Sequence, residues 1–364
     1  MKTYKGLYEY MLNRENIRKA IIIAARDKHK RRSVKMVFSD LENYIDKTED
    51  IMTSFSYEPR IYEKRQIVEG SKHKIRTIQK QPFFPDQIIQ SSMVEAITPM
   101  MEKSLYEYAH GSLKNRGTDQ SKAVIERWIR EDPKGTRCCC QLDIHHCYPS
   151  VDQEVLKHVF HEKVHDRRFN KLNDKIIHTL PFGLPTGAKS SFIYLHILLT
   201  PLDHLIANDP SAKHYLRHAD DMIIFGSSKR ELHKLRARIE MYLKTVLNMQ
   251  INPKWQIFPL PYEGRDGKKH GHPLDTCGYL FYRDRTTLRL EKMLSITRKA
   301  AKISKKERPT RYDAQQMLSK LGQLRHADVY NVYEDYVKPK VRKKQLRKIV
   351  SKYQRSHNDY VEKA

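Results

Sequence analysis

Acidic residues are outnumbered by basic ones in this chain, and cysteine and long apolar runs are scarce. Its 364 residues hold 43 Asp and Glu against 69 Lys and Arg, a net charge of +26. A field of that size repels itself unless a polyanion is bound, so nucleic acid is the expected partner. The basic residues are spread along the whole chain, which argues against a membrane surface as that partner. The five cysteines are an odd number and form no C-x-x-C pair. That pattern speaks against a disulfide framework and a zinc site, and a reducing cytoplasm is the expected setting. No run approaches the roughly 18 apolar residues of a membrane span. The opening MKTYKGLYEY has no apolar segment of the kind a secretory signal carries, so none is expected. No internal repeat is visible.

What is present begins with 39% apolar residues, enough for a core, in a length that suits one large or two to three small domains. The first 56 residues read as helical, with Tyr8, Met11, Leu12, Ile17, Ile21 and Ala25 near i, i+3, i+4 spacing. YEPRIYEKRQIVEGSKHKIRTIQK changes period and reads as a hairpin with Gly70-Ser71 as its turn. A helix follows PFFPDQ, GSLKNRGT is a polar loop, and DQSKAVIERWIRED is a short helix. RCCCQLD reads as a buried strand, and QEVLKHVFHEKV and NKLNDKIIHTL as helices. PFGLPTGAKSS is a Gly/Pro loop ahead of the apolar helix FIYLHILLTPLDHLIAN. HYLRHADDMIIFG reads as a hairpin. SKRELHKLRARIEMYLKTVLNM reads as a helix with Ser228 as N-cap and Glu231 three residues on. DTCGYLFYR and TTLRL read as another hairpin, and GRDGKKHGHP as a flexible loop. From residue 286 onward the chain is mostly helical and carries 21 basic against 8 acidic residues, half of the whole surplus.

Asp220 and Asp221 stand side by side between two strand-like runs. Asp is common in turns because it hydrogen-bonds locally, so the pair by itself is ordinary turn chemistry. Asp143, 77 residues before Asp220, ends a buried strand and by itself reads as a cap on the next turn. The set says more than its members. Two divalent ions roughly 4 Å apart need acids that can bridge both, which is the requirement of two-metal phosphoryl transfer. One ion lowers the pKa of an attacking 3′-hydroxyl, and the other neutralises a triphosphate. His145 and His146 are neighbours on a strand and are expected to point to opposite faces, as packing rather than metal-binding residues.

In this order and spacing DIHHCYPSVD, GLPTGAKSS and HADD resemble the palm motifs of reverse transcriptases. KHKIRTI and PFFPDQIIQ resemble the finger motifs of the same families, and INPKW and DTCGYLFYRDRTTLR the last palm motifs. The resemblance covers residues 60–289 and is closest to bacterial enzymes of the group II intron, diversity-generating retroelement and defence-associated types. It implies an α/β (α+β) right hand: fingers behind a helical N-terminal extension in 1–135, a palm of antiparallel sheet plus helices in 136–285, with some finger elements around 153–182, and a basic helical thumb in 286–364. It implies RNA-templated DNA synthesis with two Mg²⁺ ions, Mn²⁺ being a substitute, and with dNTPs, an RNA template and a DNA product. A thumb of that charge suits a grip on duplex phosphates.

Carried over position by position, Asp143, Asp220 and Asp221 match the catalytic, metal-binding acids, with Ile144 beside Asp143 in the metal site. Tyr148 matches the aromatic under the incoming sugar that excludes a 2′-hydroxyl. Lys74 and Arg76 match the finger residues that hold the triphosphate, and Lys254 a lysine near the phosphates. Thr186 and Gly187 fit the loop against the nucleotide. Ser191, Phe192, Arg116, Lys343, Lys344, Arg347 and Lys348 fall on the template and primer side. Plain packing or solvated faces remain the alternative for Tyr148, Lys74, Arg76 and Lys254.

The chain departs from the family pattern where Tyr is usual before the acids, since His218 and Ala219 precede Asp220. Thr186 replaces the usual glutamine of the loop, and Phe192 follows Ser191 where glutamine or proline is usual. These changes favour a defence-type enzyme copying a dedicated noncoding RNA, alone, as a homo-oligomer or with a partner protein, in the cytoplasm and away from membranes. The alternatives are a mutagenic diversity-generating enzyme, a template-independent or protein-primed polymerase, and a non-catalytic RNA-binding protein on the same fold.

Overall fold

The computed structural model describes residues 4–61, 63–69, 74–264 and 266–351. The chain divides into two compact units, one formed by 1–117 with 140–257, the other by 118–139 with 258–364.

In chain order the first unit opens with α1 (Leu7–Leu12), α2 (Arg14–Ala25), α3 (Arg32–Phe38) and α4 (Leu41–Thr53). Asn13 caps α2 by accepting the Glu15 and Asn16 main-chain N–H groups, which satisfies donors the helix cannot. Ile17, Ala20, Ile21 and Ala24 are buried on one face of α2, as the period required. Of the positions read from the sequence, Leu12 alone is half-buried rather than buried. Strands β1 (Glu63–Glu69) and β2 (Lys74–Lys80) form the expected antiparallel hairpin. Its Gly70-Ser71 turn lies outside the described residues.

Next come α5 (Ile88–Ser104) and β3 (Ala109–His110). α2 packs on α5, and the Asn16 side-chain amide donates to Ser92 Oγ at 2.9 Å across that interface. α6 (Thr118–Glu131) belongs to the second unit, and β4 (Cys138–Leu142) runs into the first. The short α7 (Cys147–Ser150), α8 (Gln153–Lys163), α9 (Arg167–Ile177) and α10 (Lys189–Ala207) follow. Among the described residues α10 alone is long and apolar enough to cross a membrane, a length the apolar-run reading did not reach. Most of α10 is buried, and it packs against α5, α8, β5 and α11 as the core helix of its unit.

β5 (His214–His218) and β6 (Asp221–Gly226) form the expected hairpin, with His218 opposite Asp221. After it runs α11 (Lys229–Val246), where Ser228 accepts from the Glu231 N–H as its cap. With β7 (Gln256–Pro259) these strands build a five-stranded sheet in the order β3-β5-β6-β4-β7.

The second unit adds β8 (Tyr262–Glu263) and β9 (Lys269–His270), a short ladder whose second strand lies inside what reads from sequence as a loop. β10 (Leu274–Thr276), β11 (Tyr279–Phe281) and β12 (Thr286–Leu288) form a three-stranded antiparallel meander. This corrects the expectation of one hairpin there. Cys277 and Gly278 are the turn between β10 and β11, with φ of 53° and 82°. Two left-handed residues are what a tight hairpin turn requires, and Cys-Gly is not the usual Asn-Gly signature. α12 (Leu290–Ser304) and α13 (Arg311–Leu324) follow. Thr310 and Asp313 form a reciprocal capping box at the start of α13, and Lys299 and Lys306 bind the Asp313 carboxylate.

Candidate active site

β4 and the β5–β6 turn carry the two acids. β4 lies beside β6 in the sheet. Asp143 follows the last residue of β4, and Asp220 sits in the two-residue turn Ala219–Asp220 closed by the His218–Asp221 pair. Cys147, buried on α7, lies within electrostatic reach of both. Burial pushes its thiol well above the ordinary range, Asp220 and Asp143 push it further, and Arg217 opposes them. The carboxylate oxygens of the two acids are the hard donors that Mg²⁺ takes. Among the described residues no three His, Cys, Asp or Glu side chains form a metal cage. Mg²⁺ held by one or two carboxylates and by substrate phosphates needs none. Asp221 opens β6 opposite His218.

The segment carrying Lys254 is laid directly against Asp143. Ile144 bridges Ile251 antiparallel, the His145 N–H donates to the Gln250 carbonyl at 2.9 Å, and the Asn252 N–H to the Asp143 carbonyl at 2.7 Å. The Asn252 side-chain amide also donates to Asp143 Oδ2 at 3.1 Å. Its Oδ1 accepts the Lys254 N–H at 3.1 Å, leaving the Lys254 side chain exposed. Sequence reasoning passed over Asn252, whose one local signal is an Asn two residues ahead of that lysine. Ile144 is buried.

His145 and His146 correct an expectation. They lie past the end of β4, with His146 left-handed at φ 46°, and their rings meet edge to face with centroids 4.2 Å apart. The strand alternation argument does not apply to residues beyond the strand.

The Gly/Pro loop docks through its main chain. The Leu184 N–H donates to the Tyr148 carbonyl at 2.8 Å, and the Gln79 N–H to the Thr186 carbonyl at 3.1 Å. The Thr186 N–H returns to Gln79 Oε1 at 2.6 Å, so the loop and β2 grip each other. Gly187 has a φ of +99°, and a Cβ there would stand 2.9 Å from Ile78 Cγ2; only glycine fits without a shift. Ser191, buried at the start of α10, donates to the Pro185 carbonyl at 2.7 Å, and Phe192 is half-buried. Tyr148 is half-buried on α7. Lys74 and Arg76 lie in β2, but their side chains lie outside the described residues. Arg116 turns inward, donating to the Tyr106 carbonyl at 3.0 Å.

Beside Gly187 is a cavity of about 400 Å³ lined by Lys28, Arg31, Arg65, Lys80 and Lys189 among others. Burial lowers the pKa of Lys28, and Arg31 and Lys189 lower it further. Gln81, 5% exposed, lines the same cavity, and among the described residues its Nε2 has no hydrogen-bond partner. Sequence reasoning missed this cluster because its members come from three distant stretches. Of the C-terminal basic residues, Lys344, Arg347 and Lys348 are exposed and Lys343 half-buried on a helix over 343–351.

Two buried histidines underlie the acidic turn. Burial, with Arg116 and His218 adding, lowers His110 to about 4. Burial and Arg217 lower His196 to about 3, against a small opposing pull from the Gly111 carbonyl.

Among solved structures, apo telomerase from Candida tropicalis is 11% identical, covering 72% of this chain and 51% of that chain at a TM-score of 0.47. Telomerase from Candida albicans in complex with the TWJ fragment of telomeric RNA is 10% identical, covering 86% of this chain and 59% of that chain at a TM-score of 0.46. The chain thus spans little more than half the length of either. No curated protein matches it. The family described as reverse transcriptase (RNA-dependent DNA polymerase) matches residues 63–270, a span that holds both acids, the docked loop and the Asn252 segment. That match covers more than half of the sequence, and the chain belongs to the reverse transcriptase family, the RNA-directed DNA polymerases.

Proposed function

We propose that this polymerase copies a short stretch of a dedicated noncoding RNA into DNA, by two-metal phosphoryl transfer, in bacterial antiphage defence. What supports the chemistry is that Asp143 follows β4 and Asp220 lies in the β5–β6 turn, on neighbouring strands β4 and β6 of one sheet, and that both acids act electrostatically on the buried Cys147. Those carboxylates would hold Mg²⁺, with the acid of Asp221 and the main chain at Ile144 next to them. Bound there, the metal supplies activation of the primer hydroxyl and neutralisation of the triphosphate. Lys254 stands on the segment laid against Asp143 and serves the phosphates, as do Lys74 and Arg76 on β2. Tyr148 closes the sugar side. The basic cavity beside Gly187 takes phosphates of the template. Residues 1–135 act as a helical N-terminal extension and fingers, 136–285 as palm with finger elements around 153–182, and 286–364 as a basic helical thumb. The protein works in the cytoplasm, as a homo-oligomer or with a partner protein.

The biological part rests on Thr186 and Phe192, which alter the loop that faces the nascent base pair in the resembling families. Primer extension on RNA with Mg²⁺ tests the chemistry: Asp143→Asn and Asp220→Asn are each expected to abolish incorporation while the fold persists, because an amide is a poor ligand for a hard cation. Wild-type rates in either variant would sink it. Sequencing the cDNA made in cells tests the role. Short or repetitive copies of a small RNA support defence, whereas long copies of a coding repeat with adenine-directed errors would replace it with mutagenic diversification.

A further inference from the structure

Arg217 is fully buried, and so is its partner Asp203 on α10. Arg217 Nε donates to Asp203 Oδ1 at 2.8 Å and Nη2 to Oδ2 at 2.6 Å, a two-pronged pair. The Tyr215 hydroxyl donates to the same Oδ1 at 2.7 Å. Burying two charges is costly, and apolar residues of the same volume are often no less stable. A pair like this therefore calls for a use besides stability.

The use lies at the third arm of the guanidinium. Arg217 Nη1 donates to the Ala219 carbonyl at 2.8 Å, and the Ala219 N–H donates to the His110 carbonyl at 2.8 Å. Both main-chain groups of Ala219 are thus held. Ala219 has a φ of 58°, the left-handed region that a residue with a Cβ enters only at a cost. Gly111 comes so close that a Cβ on it would stand 2.8 Å from the Ala219 nitrogen. His196 joins the ends: it lies 3.4 Å from Arg217 Nη2 through Nδ1 and 2.9 Å from the Gly111 carbonyl through Nε2. With Nε2 protonated, it donates to that carbonyl and accepts from Arg217. The next residue after Ala219 is Asp220.

We propose that Arg217 is a positioning residue for catalysis: anchored by Asp203, it holds Ala219 in its left-handed conformation and so sets where the Asp220 carboxylate stands. The inference rests on the reading of Asp220 as a metal-binding acid. It assigns Arg217, Asp203 and His196 no contact with substrate.

The test is the triple variant Asp203→Leu, Tyr215→Phe, Arg217→Met in the full chain. It removes both charges and the hydroxyl together, so no buried charge is left unpaired. In metal-free protein, hydrogen exchange of the peptide spanning the β5–β6 turn is expected to quicken about tenfold at the turn while the body of β6 keeps its protection. With RNA template and dNTP, kcat is expected to fall about 100-fold, as for a displaced catalytic group. The Mg²⁺ concentration for half-maximal rate should rise several-fold, with KM for dNTP little changed. Wild-type exchange at the turn together with a wild-type Mg²⁺ response would overturn the proposal. If the triple variant does not fold, Arg217→Lys decides. Its single ammonium can pair with Asp203 but cannot also fork to the Ala219 carbonyl, so the same loosening is expected, and unchanged exchange and metal response overturn the inference. Asp220→Asn run alongside separates the two readings. If it is active, the metal assignment fails; if it is inactive while the Arg217 variants behave as wild type, only the positioning role fails.

Discussion

Asn252 is tied to Asp143 twice, by its main-chain N–H to the Asp143 carbonyl at 2.7 Å and by its side-chain amide to Asp143 Oδ2 at 3.1 Å. The first bond is available to any residue, the second only to a donor. Asn252→Ala should therefore leave the strand pairing in place and take one hydrogen bond from the carboxylate. A fall in kcat of about 10- to 100-fold is expected, with thermal stability lowered by about 1 kcal/mol for the missing hydrogen bond. Asn252→Asp should be worse, because it sets a second negative charge against Asp143. Single-turnover extension and a urea melt check both; full activity in Asn252→Asp would show that this bond does not orient the acid.

The Tyr148 ring can be removed without undocking the loop, since the bond with Leu184 is made by the Tyr148 carbonyl. Tyr148→Ala is expected to fold normally and to accept ribonucleotides at least about tenfold more readily relative to dNTPs, as removal of a steric gate would allow. Competition between dNTP and rNTP in single-turnover extension measures the ratio. An unchanged ratio in the folded variant removes Tyr148 from the sugar site.

On the C-terminal helix, Lys344, Arg347 and Lys348 are exposed at the i, i+3, i+4 spacing that places residues on one face. Replacing them and Lys343 with Gln should weaken binding to duplexes of any sequence. The slope of log affinity against log salt should become shallower by about 0.9 for each DNA phosphate that is no longer neutralised. A slope equal to wild type means the grip is made elsewhere.

His110 and His196 make stability depend on pH in a defined direction. In the unfolded chain an ordinary histidine binds its proton below about 6.5. In the folded protein His110 stays neutral to about 4 and His196 to about 3. The unfolded state therefore takes up more protons across that window, and stability falls as the pH drops from 6.5 towards 4, by about 2 kcal/mol per histidine at pH 5. Urea midpoints at pH 7 and pH 5 measure the decrease. His196→Gln should reduce the slope by close to one proton, and an unaltered slope would show that His196 is not held neutral.

Local rules carried the sequence reading a long way. The hairpin that carries Asp220, the helix capped by Ser228, the β1–β2 hairpin and the amphipathic face of α2 depend on periodicity and on neighbours a few residues apart, and these are legible in any window of the chain. Motif order was enough to point to the family that matches residues 63–270. What depended on long-range packing was invisible. Asn252 meets Asp143 across 109 residues, and Gly111 meets Ala219 across more than a hundred. Arg217 and Asp203 read as single charges in apolar stretches, one in a strand and one in a helix, and only the packing of α10 against β5 makes them a pair. The segment 118–139 joins the second compact unit although its sequence neighbours on both sides lie in the first. Periodicity states which face of an element is buried; which other element covers that face is decided by tertiary packing.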